Sequence, residues 1–600
     1  MYGVEIDAAG ARLVRLRSPV LSPARWPSLF QYRLGVIISF VSKGRRFLPE
    51  GRCDRMKFTA LGGGMEVGAS CYLLQIAGKN ILLDAGIRVN RRGEEALPDI
   101  DLLRDLTDDR LDLILISHAH LDHCGALPIL HELFPATPVY STTPTKLIAA
   151  ILLQDTVRIM EREAEDRDSE VQLYTLDMVK SAVWAIRTAS YHEWIRPLDD
   201  PEYEFYFHPA GHVMGAASIL LKTPEATVVY SGDIATVSQR TVAGMTPIDF
   251  FHPDLLILES TYGDSQHPSR KAEEGSLAKA VAEVIEEGGT VLIPAFAFGR
   301  AQEIILILKF SMLSGVIPKF PIYVDGLVRS ICDLYTELID FLPERLQNFI
   351  ANSRQPVFWS AEGRGMPKVT KILSHEERQS LLLPEPKCII SSSGMLTGGP
   401  SVYYAKWLAS NPRNAIFLTG YQDEESPGRR LQELEQGGTI ELDGQEVEVK
   451  CKVSRYNLSA HADQVQLCQQ VSYMKPQSII LVHGELGSIK ELREKLVLKS
   501  LVFVAPNGKT VDPLRAPDWL TEHRLLQIDA ERNQFFGTLE YTVDGGVAIK
   551  FGPDLVESPQ WKQFFEGYEE VRAKFFGKRL QIRAKLPSDE EDEEGAEDEE

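Results

Sequence analysis

Short apolar runs rich in Val, Ile and Leu recur along the chain and alternate with segments of helical period. Residues 111–116, 227–230, 255–258, 290–293, 388–390, 415–418 and 478–482 are such runs, and a shorter pattern at 57–61 opens directly behind Met56. Apolar side chains at successive positions, rather than at every second one, predict strands covered on both faces. That is the pattern of an α/β fold with helices packed on largely parallel sheets. Polar residues fall at one recurring place, just after the strands. Ligands of open α/β sheets gather beyond the carboxyl ends of strands, and there this chain puts His, Asp and Glu.

The run 111–116 leads through Ser117 into His118-Ala119-His120-Leu121-Asp122-His123, and Gly125 to Leu130 read as a helix start. Four metal-binding side chains thus sit in one strand-to-helix loop. Imidazole and carboxylate suit a borderline dication such as Zn²⁺. His118 and His120 suit one ion, while Asp122 and His123 can turn to a second. So few residues cannot complete two sites, so further ligands must come from distant sequence. His212 after 204–208, Asp233 in Ser231-Gly232-Asp233 after 227–230, and His483 after 478–482 are available. Asp84 follows Ile81-Leu82-Leu83; it could ligate, but orienting a metal-bound histidine is the more economical role. A lone histidine after a strand is usually unremarkable, yet six of the thirteen histidines fall at such turns. His131, His192, His208, His252, His267, His375 and His523 carry no such signal.

These motifs resemble the metallo-β-lactamase superfamily, and within it the β-CASP branch of nucleic-acid-processing nucleases, over roughly residues 57–513. Asp84, His118 to His123, His212 and Asp233 match the superfamily's four motifs in order. Glu259 in Glu259-Ser260-Thr261-Tyr262-Gly263, His461 in Leu458-Ser459-Ala460-His461-Ala462-Asp463, and His483 in Val482-His483-Gly484-Glu485 match those of the branch. The resemblance implies an αββα sandwich with an inserted β-CASP α/β domain. It also implies two Zn²⁺ ions, one on His118, His120 and His212 and the other on Asp122, His123 and His483, with Asp233 bridging. His461, Glu259 and Asp122 are the implied catalytic residues, His461 protonating the leaving 3′ oxygen while Glu259 orients it. Relatives acting on DNA commonly lack a histidine in the last motif, so His483 points to RNA. The segment around His461 resembles the cleavage-and-polyadenylation endonucleases and their prokaryotic relatives more than ribonuclease J.

A zinc pair activates water for in-line attack at phosphorus, so the expected reaction is hydrolysis of single-stranded RNA to 3′-hydroxyl and 5′-phosphate ends. Ser391, Ser392, Ser393 and Gly394, with Arg300 at a helix start, are candidate phosphate contacts. Gly62 to Ser70 is glycine-rich but has no Lys after Gly68, so it reads as a hairpin turn rather than a phosphate-binding loop. Two alternatives stay open: 5′-to-3′ trimming of the ribonuclease J type, and hydrolysis of a small molecule, which would need neither Glu259 nor His461.

Composition adds boundaries. The net charge of −21 argues against a chain that coats nucleic acid along its whole surface, though not against a local basic groove. Ten acids crowd 588–600, which reads as a disordered tail. Residues 1–55, with ten Lys or Arg against four acids, read as an extension: a misassigned start, a disordered arm or an organellar targeting peptide. The first sandwich part is expected at 56–263, the inserted domain at 264–454, the second sandwich part at 455–513 and a small appendage at 514–587. Seven scattered cysteines without a Cys-x-x-Cys pair suggest a reducing, cytoplasmic setting. No apolar run near the start is long enough to span a membrane. Beyond single-stranded RNA, the expected partners are a second copy in a homodimer or an RNA-processing complex.

Overall fold

The computed structural model describes residues 56–514, apart from 168–171, 249–251, 354, 361–366, 435–436 and 498–499, together with backbone strands within 4–16 and 524–585. The extension expected at 1–55 and the tail at 588–600 lie otherwise outside the described residues. Residues 1–51 and 515–600 group as one unit and 52–514 as another. In the former, Arg524–Ala530, Asn533–Tyr541 and Val547–Lys550 form an antiparallel sheet, and Glu570–Phe576 pairs with Arg579–Lys585.

The unit 52–514 contains two seven-stranded sheets. In the first, Thr510–Val511, Lys57–Gly62, Cys71–Ile76, Lys79–Leu83, Leu113–Leu115, Val139–Ser141 and Ile186–Thr188 lie side by side. In the second the order is Leu501–Val504, Ser478–Val482, Leu255–Glu259, Thr227–Tyr230, Ala217–Lys222, Glu204–Pro209 and Trp194–Ile195. Alternation along each strand explains their stacking. Leu113 and Leu115 enter one core with Phe58, Tyr72, Phe207, Val228, Tyr230, Ile257 and Ile480, the layer between the sheets. Their neighbours Ile114, Val229, Leu256 and Leu481 belong to the other core, with Leu127, Leu130, Leu467, Val471, Ile489 and Leu492 from helices. Continuous apolar runs are therefore needed because each strand buries both faces, and the layers read helix, sheet, sheet, helix.

After Glu259 the chain leaves the second sheet. Helix Arg270–Glu286 leads into an all-parallel six-stranded sheet, ordered Val369–Lys371, Ile322–Asp325, Lys387–Ser391, Thr290–Pro294, Ala415–Leu418 and Lys452–Arg455. The return runs through residues 456–463 and helix Gln464–Met474 to Ser478–Val482. That strand pairs in parallel with Leu255–Glu259, placing Val482 opposite Glu259. Departure and return are neighbours in one sheet, and both open onto the same strand ends.

One local expectation changes. Residues 111–116 contribute only Leu113–Leu115 to the sheet, and Asp122 and His123 sit on a single helical turn, Leu121–Cys124, rather than in a loop. The turn forms because the His120 carbonyl accepts from His123 N and Cys124 N. Replacing Ile480 by Ala, at the fully buried centre between the sheets, is predicted to destabilise the fold by about 2–5 kcal/mol, read as a lower midpoint of urea unfolding.

Candidate metal centre

At the carboxyl ends of the sandwich strands, metal-binding side chains from four segments meet. His118 Nε2 lies 3.1 Å from His120 Nδ1, which lies 3.2 Å from His212 Nε2. Nitrogens bound at about 2.0–2.1 Å to one tetrahedral ion stand about 3.3 Å apart, so this triangle has the size of a metal's ligand shell. Asp233 Oδ2 lies 3.6 Å from both His118 Nε2 and His212 Nε2, and 3.3 Å from His123 Nε2. Its other oxygen, Oδ1, lies 3.6 Å from His483 Nε2. Asp122 Oδ2 is 3.8 Å from His123 Nε2 and 3.9 Å from His483 Nε2. The donors divide into His118, His120, His212 and Asp233 on one side and Asp122, His123 and His483 on the other, with Asp233 facing both.

Outer hydrogen bonds settle which nitrogen faces inward. Asp84 Oδ2 accepts from Tyr230 Oη at 2.6 Å and Ser117 Oγ at 2.7 Å, and lies 2.7 Å from His123 Nδ1. Its Oδ1 accepts from Ser117 N at 2.6 Å. A carboxylate can only accept, so His123 Nδ1 carries its proton and Nε2 presents a lone pair. The Ser117 hydroxyl, having donated to Asp84, accepts from His118 Nδ1 at 3.0 Å. His212 Nδ1 donates to the Ala460 carbonyl at 2.8 Å, and His483 Nδ1 meets Ser70 Oγ at 2.8 Å. Outer partners of this kind fix metal-binding imidazoles. Two atoms aimed at the centre, His123 Nε2 and Asp233 Oδ1, are buried with no hydrogen-bond partner. Buried polar atoms are costly unless paired, and a dication between them supplies what they lack. The donor set fits a divalent metal.

Electrostatics agree. Burial pushes His118, His120 and His212 down, leaving neutral imidazoles ready to ligate. Burial also lowers His123, but Asp233, Asp122 and Asp84 outweigh it and hold the group well above its ordinary value. Against its own burial, Asp233 is held well below the carboxylate range by His123, His483 and His461.

Two residues of the centre have left-handed backbone. Asp84 and His483 adopt φ of 61° and 50°, a region uncommon for residues with a Cβ. His483 is held by its N–H to the Gly63 carbonyl at 2.8 Å. Gly86 permits the closest approach: a Cβ there would lie 1.8 Å from the Asp122 carbonyl.

Beside the donors, His461 Nδ1 lies 3.0 Å from Glu259 Oε2, which also accepts from Thr261 Oγ1 at 2.7 Å; Glu259 Oε1 accepts from Ile234 N at 2.7 Å. Burial lowers His461, but Glu259 and Asp233 override it and raise the imidazole to about 9. Glu259 is buried while His461 is 20% exposed. His461 opens on a cleft of about 1500 Å³ between the sandwich and the inserted sheet. Its described lining holds nine arginines and no lysine, against four acids outside the metal centre. A locally basic groove therefore exists in a chain of net charge −21.

Arg300, the first residue of helix Arg300–Leu313, lines this cleft, and its Nε and Nη1 are buried without a partner. Burial and neighbouring Arg270 lower it to about 10. Ser392, Ser393 and Gly394 also line the cleft, but Ser391 does not. As the last residue of strand Lys387–Ser391 it turns its hydroxyl into the interior. Sequence reasoning missed Ser70, Ser117, Tyr230 and Thr261, which orient the central groups. Ser117, adjoining His118, was the one with a readable signal; nothing local marks a strand tyrosine as a carboxylate's partner.

Comparison with known proteins follows the same layout. Residues 64–255 match the metallo-beta-lactamase superfamily, 301–431 the Beta-Casp domain and 446–502 the Zn-dependent metallo-hydrolase RNA specificity domain. The chain is 33% identical to Integrator complex subunit 11 of Danio rerio over 77% of its own length and 75% of that protein. It is 34% identical to transcription termination factor FttA of Methanothermobacter thermautotrophicus, covering 73% and 68% of the two chains. It is also 34% identical to a probable RNase of Methanocaldococcus jannaschii, covering 72% and 93%.

Asp84→Ala removes the acceptor that orients His123. It is predicted to weaken metal binding at the Asp122, His123 and His483 side by about 10–100-fold, measured by metal analysis after dialysis against a buffered free-ion series.

Proposed function

Since the chain belongs to the metallo-β-lactamase superfamily, in its β-CASP branch, we propose that it cuts single-stranded RNA internally, using two zinc ions and leaving 3′-hydroxyl and 5′-phosphate ends. It is a metal-dependent ribonuclease. The observation that carries the finer reading is the inward convergence of His118, His120, His212, Asp233, Asp122, His123 and His483 beside the His461–Glu259 pair. Donors of imidazole and carboxylate type, spaced for tetrahedral geometry and free of thiolate, favour zinc. Asp233 lies within 3.6 Å of histidines from both groups of donors, which favours two ions.

Bound dications supply Lewis acidity, making water a competent nucleophile near neutral pH and neutralising charge at phosphorus. The protein's part is to place and protonate. His461 commits Nδ1 to Glu259, so Nε2 is the atom left to give a proton to the departing 3′ oxygen. Held at about 9, the imidazole carries that proton at neutral pH. Asp122, 22% exposed, is a donor open to the cleft. The unpartnered Arg300 guanidinium, with Ser392, Ser393 and Gly394, would hold flanking phosphates. A basic, arginine-lined cleft this large exceeds what small-molecule sites usually need and suits a polyanion. The name of one relative makes it a subunit of a larger complex, which supports an RNA-processing assembly over a homodimer. Cys71, Cys124, Cys332, Cys388 and Cys451 are buried free thiols, in keeping with a cytoplasmic setting.

His461→Ala is predicted to keep its metals and lose about 10²–10⁴ in kcat on 5′-labelled single-stranded RNA. Because the acid works protonated, wild-type kcat should fall as pH rises through about 9, and the variant should lack that limb. Internal fragments with 5′-phosphates are expected. Mononucleotides released in order from the 5′ end would replace the endonuclease by an exonuclease, and cleavage of a lactam alone would remove RNA from the account.

A further inference from the structure

The segment carrying His461 is gripped from behind by one arginine. Arg270 opens helix Arg270–Glu286, the first regular element after the chain leaves the sandwich. Its Nη1 donates to the carbonyls of Leu458 at 3.3 Å and Ser459 at 3.1 Å, and its Nη2 to Glu303 Oε2 at 2.9 Å. Arg270 Nε lies 3.3 Å from Glu274 Oε1. The next two residues complete the site: the Ala460 carbonyl accepts from His212, and His461 meets Glu259. Four consecutive residues are thus fixed, two of them by Arg270.

The arginine is itself seated. Glu303, buried on helix Arg300–Leu313, accepts from Thr241 N at 2.6 Å, Thr241 Oγ1 at 2.6 Å and Arg240 N at 2.7 Å. Adjacent Gln239 donates to the carbonyls of Gly211 and His212. One arginine–glutamate pair therefore joins two helices that flank the inserted sheet to the segments behind His212 and His461. A planar guanidinium holds its donors in a rigid fork across two carbonyls and a carboxylate, a preorganised geometry that a flexible ammonium lacks.

We propose that Arg270, seated on Glu303, is a positioning residue for His461, setting the reach of the imidazole to the leaving oxygen without touching RNA or metal. The inference rests on His461 being the proton donor. Misplacing a catalytic group by about 1 Å costs on the order of 10²-fold in rate. Such a loss appears only where the leaving group needs a proton. RNA's 3′ oxygen does, whereas the nitrophenolate of bis(p-nitrophenyl) phosphate departs as a stable anion.

The test compares Arg270→Lys, Arg270→Ala and His461→Ala on both substrates, with metal content measured for each. Arg270→Lys is expected to lower kcat on RNA by about 10–100-fold with KM and metals unchanged, and to retain the wild-type rate on the nitrophenyl diester. Added guanidinium should restore part of the RNA activity of Arg270→Ala. A wild-type RNA rate in Arg270→Lys, or equal losses on both substrates while His461→Ala remains selective, overturns the positioning role. If His461→Ala itself loses both activities equally, the proton-donor reading fails instead.

Discussion

Five imidazole nitrogens and two carboxylates point their lone pairs at the same few ångströms of buried space. Left alone, that arrangement repels itself and strands His123 Nε2 and Asp233 Oδ1 without partners. It persists because four of the five histidines are held from outside, by Asp84, Ser117, Ser70 and the Ala460 carbonyl. The fold's task is to keep those outer bonds in place, and a dication then turns mutual repulsion into coordination.

The fold meets that requirement through strand ends. Asp84, Asp233, Glu259 and His483 each stand at or just after the carboxyl end of a strand buried on both faces, where packing leaves little freedom. Parallel pairing of Leu255–Glu259 with Ser478–Val482 brings together residues more than 200 positions apart. The inserted sheet occupies the gap in sequence, so the cleft it makes opens directly on the metal donors. His120 packs against Phe298 of the insertion, ring centres 4.9 Å apart, and the substrate wall and the metal wall meet there.

Much of this was legible in the chain. Continuous apolar runs forecast doubly covered strands, and the clustering of histidines at their ends forecast where chemistry would gather. The family resemblance supplied the long-range partners Glu259, His461 and His483, which spacing alone could not join. Tyr230 and Ser70 escaped notice because their roles depend on a neighbour brought close by folding, not on any adjacent residue. Ser391 was misplaced for a related reason: composition suggested a polar loop, but strand alternation turns that serine inward. The Arg270–Glu303 pair is likewise invisible in sequence, since its targets include backbone carbonyls, which leave no trace in residue identity.

The most direct measurement is calorimetric titration of the metal-free full chain with zinc at several pH values. Two ions per chain are predicted, with an affinity that falls as pH is lowered, because protons compete with the ions for the same imidazole nitrogens. A chain that takes up no zinc, or takes it up without involving these donors when Asp233 is replaced by Ala, would contradict the shared centre on which the account depends.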